Sequence, residues 1–208
     1  MALRDIKPTR SELINVKRRI KLSERGYNIL KMKRDGLILE FFKVLQQAKD
    51  SRGAMLERYE RALEMIALAE TFEGAIGVKA AAFSTADIPA ISLKSKNIMG
   101  VVVPEIEASS VRKGVLDRGY GMLGTSAVID ETAEAFEDLL EAIIEAAEIE
   151  TTMKRLLDEI ESTKRRVNAL EFKVIPELSE ARDFIKMRLD EMEREELFRL
   201  KKIKARSA

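Results

Sequence analysis

Apolar residues recur along the first part of the chain with the seven-residue spacing of a coiled coil. The positions of this first repeat are Leu13, Val16, Ile20, Tyr27, Leu30, Leu37, Phe41, Val44, Ala48, Met55, Ala62, Met65, Ala69 and Phe72. Thr9 and Glu12 precede them with the spacing of a capping box, which predicts where the helix begins. A helix of roughly 65 residues spans about 100 Å, which is too long for one globular core and favours a coiled coil.

A second repeat of the same spacing occupies the chain from about Ser126 onward. Its positions are Ile129, Phe136, Leu139, Ile143, Ala146, Met153, Leu157, Ile160, Val167, Val174, Leu178, Ala181, Ile185 and Met192. Pro176 lies inside this repeat and lacks the amide that would bond to the carbonyl of Phe172. Because the repeat keeps its phase across Pro176, the pattern favours a kinked helix. The alternative is that one helix ends and another begins at this proline.

The stretch between the two repeats, residues 84–124, differs in kind. It contains Pro89 and Pro104, and glycines cluster at its end, namely Gly114, Gly119, Gly121 and Gly124. Apolar and polar residues alternate around Ser95-Lys96-Asn97, which predicts two short strands joined by a turn there. A lone β-hairpin is marginally stable in water, so we expect this one to pack on the helices or on a partner.

Together the patterns predict an all-α fold, a long antiparallel two-helix coiled-coil hairpin with a small β-hairpin insert in the middle. Its parts are residues 1–83, 84–124 and 125–208, which we expect to form one structural unit. A parallel dimer of extended chains is the alternative. Both repeats lie in one molecule, however, so intramolecular pairing needs no second chain. In the antiparallel arrangement, the numbers of paired residues sum to roughly 200.

Composition excludes several classes of chemistry. The 208 residues include no cysteine and no histidine, which removes disulfides, thiolates and the commonest general base. No glycine-rich phosphate loop occurs, and carboxylates at metal-like spacing arise by chance at this density, so we expect no cofactor, no metal and no catalysis. The sequence shows no signal peptide and no apolar run of ~18 residues, which predicts a cytoplasmic chain without a membrane span.

Charge is nearly balanced overall but unevenly placed. Lysines and arginines number 37, and aspartates and glutamates number 36. Residues 1–34 hold eleven basic residues against three acids, whereas Asp130 to Glu150 holds nine acids and no base. After Glu196 all charges are basic. An antiparallel hairpin brings the two basic regions to one end, which suits an acidic protein cavity, phosphates or anionic lipid. The alternative interpretation is that these charge runs are ordinary helix faces exposed to solvent, without a partner.

Nine of the basic residues are candidates for partner binding: Arg10, Lys17, Arg18, Arg19, Arg165, Arg166, Arg199, Lys201 and Lys202. Arg165 and Arg166 precede the seam residue Val167, so both should point outward, level with Arg34. Glu161 offsets part of their charge through an exposed ion pair, worth ~0.2–1 kcal/mol. The positive charge that is not offset predicts a basic collar, formed by Arg34, Arg165 and Arg166, that meets an acidic partner surface. The alternative is that these arginines are solvated and have no special role.

The second helix should also outrun the first. The first helix begins near Thr9, so residues from about Met192 onward should project as a single helix. Arg199, Lys201 and Lys202 lie in this projecting part, which we expect to form a basic tip.

A series of motifs stands in order along the chain. They are Pro8-Thr9-Arg10-Ser11-Glu12-Leu13, Lys17-Arg18-Arg19, Lys31-Met32-Lys33-Arg34-Asp35, Lys96-Asn97-Ile98-Met99, Thr163-Lys164-Arg165-Arg166-Val167-Asn168-Ala169-Leu170-Glu171, Val174-Ile175-Pro176, Phe184-Ile185-Lys186-Met187, Glu191-Met192-Glu193-Arg194-Glu195-Glu196 and Arg199-Leu200-Lys201. Together they resemble the D subunit of the archaeal (A-type) and vacuolar-type ATP synthases. The resemblance covers nearly the whole chain and is weakest from Ala108 to Gly124.

This resemblance implies a non-catalytic central rotor shaft, an antiparallel coiled coil standing inside a hexamer of catalytic and nucleotide-binding subunits. The F subunit of the same complex would bind its side, and a socket subunit above the membrane rotor ring would hold its lower end. The chain would then be a peripheral protein at the cytoplasmic face of the cell membrane. Its rotation would couple ATP synthesis or hydrolysis to the flow of protons or sodium ions, and the sequence leaves the choice of ion open.

A generic coiled-coil scaffold or tether with a nucleic-acid-binding basic end is the competing interpretation. Proteins that bind single-stranded nucleic acid stack its bases on aromatic side chains. The basic end offers mainly Tyr27 and Phe198, and Tyr27 belongs to the apolar repeat. We therefore expect no nucleic-acid partner.

Overall fold

The computed structural model describes residues 7–85, 90–109, 111–114, 117–121 and 125–207. Its elements in chain order are α1 (Arg10–Ser84), β1 (Ala90–Ile98), β2 (Val101–Ser109), α2 (Ala127–Ala169), a π turn (Leu170–Val174) and α3 (Ile175–Ser207). Long N-terminal and C-terminal helices with a two-stranded antiparallel sheet between them in sequence confirm the predicted fold class. Pro89 and Gly124 of the middle stretch lie outside the described residues. No helix in the described ranges has the length and apolar character needed to cross a membrane.

Helix α1 begins with the predicted threonine cap. The amide of Glu12 donates to Thr9 Oγ1 at 3.2 Å, and the amide of Leu13 donates to the Thr9 carbonyl at 3.0 Å. The reciprocal half of the capping box is wrong. The Thr9 amide donates to the Lys7 carbonyl at 2.9 Å, while the Glu12 carboxylate accepts from Asn15 Nδ2 at 3.5 Å. The threonine side chain therefore satisfies one of the amides of the first turn.

Gly74 interrupts α1, which corrects the expectation of one unbroken first helix. Its dihedral angles, φ 73° and ψ 157°, lie in a region that is open essentially to glycine alone. Phe72, the last predicted seam residue, is 73% exposed, whereas Ala69 is fully buried. The apolar repeat thus stops just before the break. A single glycine without a proline is tolerated inside helices, so the sequence pattern did not reveal this interruption.

The chain packs as two compact units. The terminal unit comprises Met1–Gly36 and Ile160–Ala208. The central unit comprises Leu37–Glu159. Each unit therefore contains one segment from each of the two long helical regions.

In the terminal unit the N-terminal part of α1 pairs with α3. Val16 and Ile20 pack with the fully buried Ile185. The partly buried residues around them are Leu13, Leu178, Phe184 and Leu189. Toward the start of α1, Arg10 Nη2 lies 2.6 Å from Glu193 Oε1. The residue numbers of these partners sum to about 200, which confirms the predicted antiparallel register within this unit.

In the central unit α1 pairs with α2 in the same sense. Ala62 packs with Ala135 and Leu139, and all three are buried. Arg58 Nη1 donates to the Asp138 carbonyl at 3.1 Å. These partners again have numbers that sum to about 200, as the two repeats predict.

One of the two columns of the predicted heptad on α2 lies one residue too late. Three predicted seam residues are exposed to a considerable degree, namely Phe136 (38%), Ile143 (44%) and Leu157 (46%). The residue before each of them is buried instead, namely Ala135, Ala142 and Leu156. The other column is correct, because Leu139, Ala146 and Val167 are buried as predicted.

Helix continues through Pro176, so a break into two helices at this proline is wrong. The π turn precedes it, and the amide of Ile175 donates to the carbonyl of Leu170, five residues back. After the turn the predicted seam residues Leu178, Ala181 and Ile185 are buried or pack against the core of the terminal unit, whereas before it Leu156 is buried in place of the predicted Leu157. The wide turn holds one extra residue, which moves the seam by one position.

The β-hairpin turns at Met99-Gly100, two residues beyond the predicted turn at Ser95-Lys96-Asn97. Both turn residues have positive φ, 51° and 87°, as a two-residue type I′ hairpin requires. The Gly100 amide donates to Asn97 Oδ1 at 2.7 Å. The need for positive φ at two successive positions explains why the turn lies at the glycine.

Strand β2 packs on the middle of α2, which confirms that the hairpin rests on a helix. The Ile106 amide donates to Glu148 Oε2 at 3.0 Å, and Arg155 Nη1 donates to the Val102 carbonyl at 2.6 Å. Val101 and Val103 are buried, whereas β1 is exposed along most of its length. The helix thus supplies the apolar surface that a two-stranded sheet lacks on its own.

Candidate partner-binding surfaces

All nine candidate partner-binding residues lie in the terminal unit, and all are exposed. Arg10 is paired with Glu193. Lys17, Arg18 and Arg19 occupy the solvent side of α1 and form no ion pair with any residue that the structure describes. These residues thus belong to one folded unit, and the charges of Lys17, Arg18 and Arg19 face solvent.

Arg165 and Arg166 point outward as predicted, because Val167 beside them is only 1% exposed and occupies the seam. Arg165 Nη2 lies 3.9 Å from Glu161 Oε1, the predicted partial offset. Within the described parts of the chain, Arg166 forms no ion pair. Arg34, the third member of the predicted collar, is paired with its neighbour Asp35 at 2.8 Å. Among the described residues of the collar, Arg166 is therefore the unpaired charge, and Arg165 is held only by a long, exposed pair.

The end of α3 has the single-helix character that the sequence predicts from about Met192 onward. Every described side chain from Glu191 to Arg206 is exposed. Arg199 reaches only its own helix, 3.6 Å from Glu195. Basic residues alternate here with large exposed apolar ones, namely Leu197, Phe198, Leu200 and Ile203. Exposed apolar side chains clustered with basic ones are typical of a surface that a partner covers.

The two units carry opposite net charge. The terminal unit has 24 lysines and arginines against 14 aspartates and glutamates, a net charge of +10. The central unit has 13 against 22, a net charge of −9. The nearly neutral chain therefore has one basic and one acidic unit, which sharpens the predicted segregation of charge.

Two arginines of the loop between β2 and α2, Arg112 and Arg118, pair with four of the nine carboxylates of the acidic run on α2, which the sequence pattern did not reveal. Arg112 Nη2 lies 2.9 Å from Asp138 Oδ1 and 3.1 Å from Glu141 Oε2. The hydrogen bond to Glu141, together with the charges of both carboxylates, raises the pKa of Arg112. The sequence did contain a signal for this pairing: a helix with nine acids and no base follows a glycine-rich loop that contains two arginines.

Arg118 is the second of these arginines and is buried, with 6% of its surface exposed. Its Nε and Nη2 donate to the two carboxylate oxygens of Glu137 at 3.2 and 3.1 Å, and its Nη1 donates to the Asp130 carbonyl at 3.0 Å. Burial lowers the pKa of Arg118, but the hydrogen bonds to Glu137 and Tyr120 outweigh it and the pKa is raised. This bidentate pair fastens the loop to the start of α2.

Tyr120 completes the network, and its hydroxyl donates to Asp130 Oδ1 at 2.7 Å. Burial, followed by this hydrogen bond, raises the pKa of Tyr120 above its ordinary value of 10.0, although Arg118 opposes the shift. The folded chain therefore keeps the phenol proton at a pH at which the unfolded chain loses it.

We expect this network to make stability fall at alkaline pH. The contribution of Tyr120 is fully present below about pH 10 and is lost as the pH rises through the raised pKa. Tyr120→Phe should be less stable at neutral pH by about 1 kcal/mol, since the Asp130 oxygen loses its donor. Above pH 10 its stability should fall less steeply than that of the unchanged chain. Urea unfolding between pH 8 and 11 measures both slopes, and equal slopes would contradict the assignment.

An apolar groove of about 390 Å³ lies between the end of α1 and the start of α2 in the central unit. Its walls include Ile66, Val78, Phe136 and Leu140, and Tyr120 lies at its border with the loop. Two phenylalanines and an isoleucine elsewhere on α1 are strongly exposed, namely Phe72, Phe83 and Ile76. The central unit thus offers an apolar surface of its own beside its acidic charge.

Within the ranges that the structure describes, no group of three acidic side chains is placed to hold a metal ion. The candidate sites are therefore surfaces of charge and apolar area.

Comparison with known proteins assigns the chain to a family. The family model for the D subunit of ATP synthase matches residues 12–205. The A-type ATP synthase D subunit of Methanoregula boonei is 79% identical over 208 residues, the full length of both chains. Its counterpart in Methanococcoides burtonii is 63% identical over 98% of this chain and 99% of the relative, and that in Halobacterium salinarum is 54% identical over 96% and 89%. This chain therefore belongs to the family of ATP synthase D subunits.

Proposed function

We propose that the chain is the non-catalytic central rotor shaft of an A-type ATP synthase. In this role it turns inside the hexamer of catalytic and nucleotide-binding subunits, carries the F subunit on its side and stands in a socket subunit above the membrane rotor ring. It works as a peripheral protein at the cytoplasmic face of the membrane. Its rotation couples ion flow through the ring to ATP synthesis or hydrolysis.

The observation that best supports the proposal is the uncovered end of α3. Helix α3 continues past the ion pair between Arg10 and Glu193, close to the start of α1. Beyond this point it exposes both basic and large apolar side chains, and no other described helix of the terminal unit covers them. A single helix with such a surface is suited to enclosure by a ring of partner subunits, which would cover it on all sides.

A reversible cross-link tests whether the chain turns. The sequence contains no cysteine, so Lys201→Cys provides a unique thiol at the exposed end of α3. In the assembled complex this thiol is oxidised to a disulfide with a cysteine placed in a facing loop of one catalytic subunit. A rotor should lose nearly all ATP turnover on oxidation and recover it on reduction. A static scaffold would keep its turnover, and that result would refute the proposal. The same complex without the cysteine in the catalytic subunit controls for oxidation itself.

The collar provides a second prediction. Arg165→Gln together with Arg166→Gln removes two exposed charges, and exposed ion pairs each contribute only ~0.2–1 kcal/mol. The melting temperature of the isolated chain should therefore change by no more than about 3 °C. The ATP turnover of the assembled complex should fall severalfold if the collar meets an acidic surface during rotation. Arg182→Gln, which removes an arginine charge from α3 in the same unit, is the control. Equal turnover in both variants would leave the collar without a role.

A further inference from the structure

The π turn at Leu170–Val174 is an unusual feature, since wide turns inside long helices are rare and often mark functional positions. Helical dihedral angles continue on both sides of it, at Ala169 (φ −63°, ψ −39°) and at Ile175 (φ −67°, ψ −46°). The Ile175 amide bonds to the Leu170 carbonyl, five residues back. The turn therefore holds one residue more than α-helical geometry allows.

The extra residue coincides with a change in the buried face of the helix. Before the turn, Thr163 and Val167 face the seam, and each is 1% exposed. In a regular coiled coil, seam positions alternate at steps of four and three residues. Continued from Thr163 and Val167, these steps reach positions 170, 174 and then Glu177. Glu177 is exposed, and Leu178 packs against the core that contains Ile185. The extra residue thus keeps the Glu177 carboxylate out of the seam and places Leu178 and Ile185 in it, while Ala181 is buried as the same stepping expects.

Pro176 sets the C-terminal limit of the wide turn. It has no amide, so it can donate neither to the carbonyl of Phe172, four residues back, nor to that of Glu171, five residues back. A wide turn moves along a helix by exchanging one hydrogen bond at a time, and Pro176 cannot take part in that exchange. The extra residue is therefore confined to the N-terminal side of Pro176.

We propose that residues 170–174 form a torsional joint, at which α3 rotates about its own axis relative to the end of α2 by giving up or regaining the wide turn. One residue corresponds to a rotation of about 100°, so loss of the turn would carry Ile185 away from the seam. The seam contacts of Ile185 return the joint to its resting state. The use of this joint under torque rests on the proposed rotor function, whereas its local weakness is a property of the chain alone.

Hydrogen exchange of the full-length chain tests the joint without the rest of the complex. The variants are Pro176→Ala, and Pro176→Ala combined with deletion of the exposed Lys173. The combined variant removes both the extra residue and the proline, so residues before and after the turn join as a regular α-helix in the same phase. We expect the protection of amides 170–175 to stay low in Pro176→Ala. It should rise at least about tenfold in the combined variant, with no loss of unfolding midpoint.

Deletion of Arg18 is the matched control. Arg18 is also exposed, but it lies in regular helix between the buried Val16 and Ile20, where no wide turn absorbs the change. Its loss should lower the unfolding midpoint strongly. The proposal is overturned if Pro176→Ala alone restores protection, since proline would then be the whole cause. It is equally overturned if the combined variant stays unprotected or is destabilised as much as the Arg18 deletion.

Discussion

Replacement of Arg118 by methionine should lower the free energy of unfolding by about 3 kcal/mol, the range seen when one partner of a buried ion pair is removed. Arg118 is 6% exposed, and the side chain of its bidentate partner Glu137 is 16% exposed. The variant would leave the Glu137 carboxylate shielded from water without its donor, and the Asp130 carbonyl would lose a hydrogen bond. Methionine keeps much of the buried apolar volume, so the loss reports the polar contacts.

Arg112 offers the matched control for this experiment, because it comes from the same loop and pairs with the same helix. Its side chain is 64% exposed, however, so solvent already screens its pairs with Asp138 and Glu141. Arg112→Met should leave the urea midpoint nearly unchanged. Similar midpoints for the Arg112 and Arg118 variants would show that burial does not distinguish the two arginines, contrary to the contacts described above.

Replacement of Gly119 by alanine should be of similar severity, at about 3 kcal/mol. Gly119 has φ +87°, which strains any residue with a Cβ, and an added Cβ would lie 2.4 Å from the Ser84 carbonyl oxygen. Backbone on both sides would have to move. Because Gly119 lies between Arg118 and Tyr120, that movement would also disturb their contacts with the start of α2.

Gly53→Ala should change stability in the opposite direction. Gly53 lies inside α1, and an added Cβ would meet nothing within 4 Å. Alanine has the higher helix propensity, so this variant should gain roughly 0.5–1 kcal/mol. Urea unfolding of both variants measures the difference in sign. A Gly119 variant as stable as the unchanged chain would mean that the loop does not approach Ser84 as described.

Much of the fold was predictable because it depends on local periodicity. The two repeats predict the long helices, and the register of about 200 follows from one short insert between them. Thr9 is a correctly predicted cap for the same reason, since the cap and its acceptor lie within one turn. The exposure of Arg165 and Arg166 follows directly from the burial of Val167.

The features that escaped prediction depend on single backbone positions or on contacts far apart in sequence. Gly74 interrupts a helix, and none of its neighbours in the sequence indicates the interruption. The hairpin turns at Met99-Gly100 because this turn needs positive φ at both positions, which the apolar and polar pattern does not indicate. The π turn could not be recognised from the sequence. A single seven-residue repeat can be continued through residues 170–174, and such a repeat does not show that the buried positions shift by one residue there. Arg118 and Glu137 pair across 19 positions and a loop with no regular pattern.

The opposite charges of the two units also govern how free copies of the chain behave before assembly. The terminal unit has a net charge of +10 and the central unit a net charge of −9. The terminal unit of one copy therefore attracts the central unit of another copy. Electrostatic attraction extends over ~30 Å at 0.01 M salt but only ~8 Å at 0.15 M. Contacts between different surfaces need not close into a ring, so copies can add without limit. The solubility of the free protein should accordingly rise with salt concentration, and dilution into low-salt buffer should favour its precipitation.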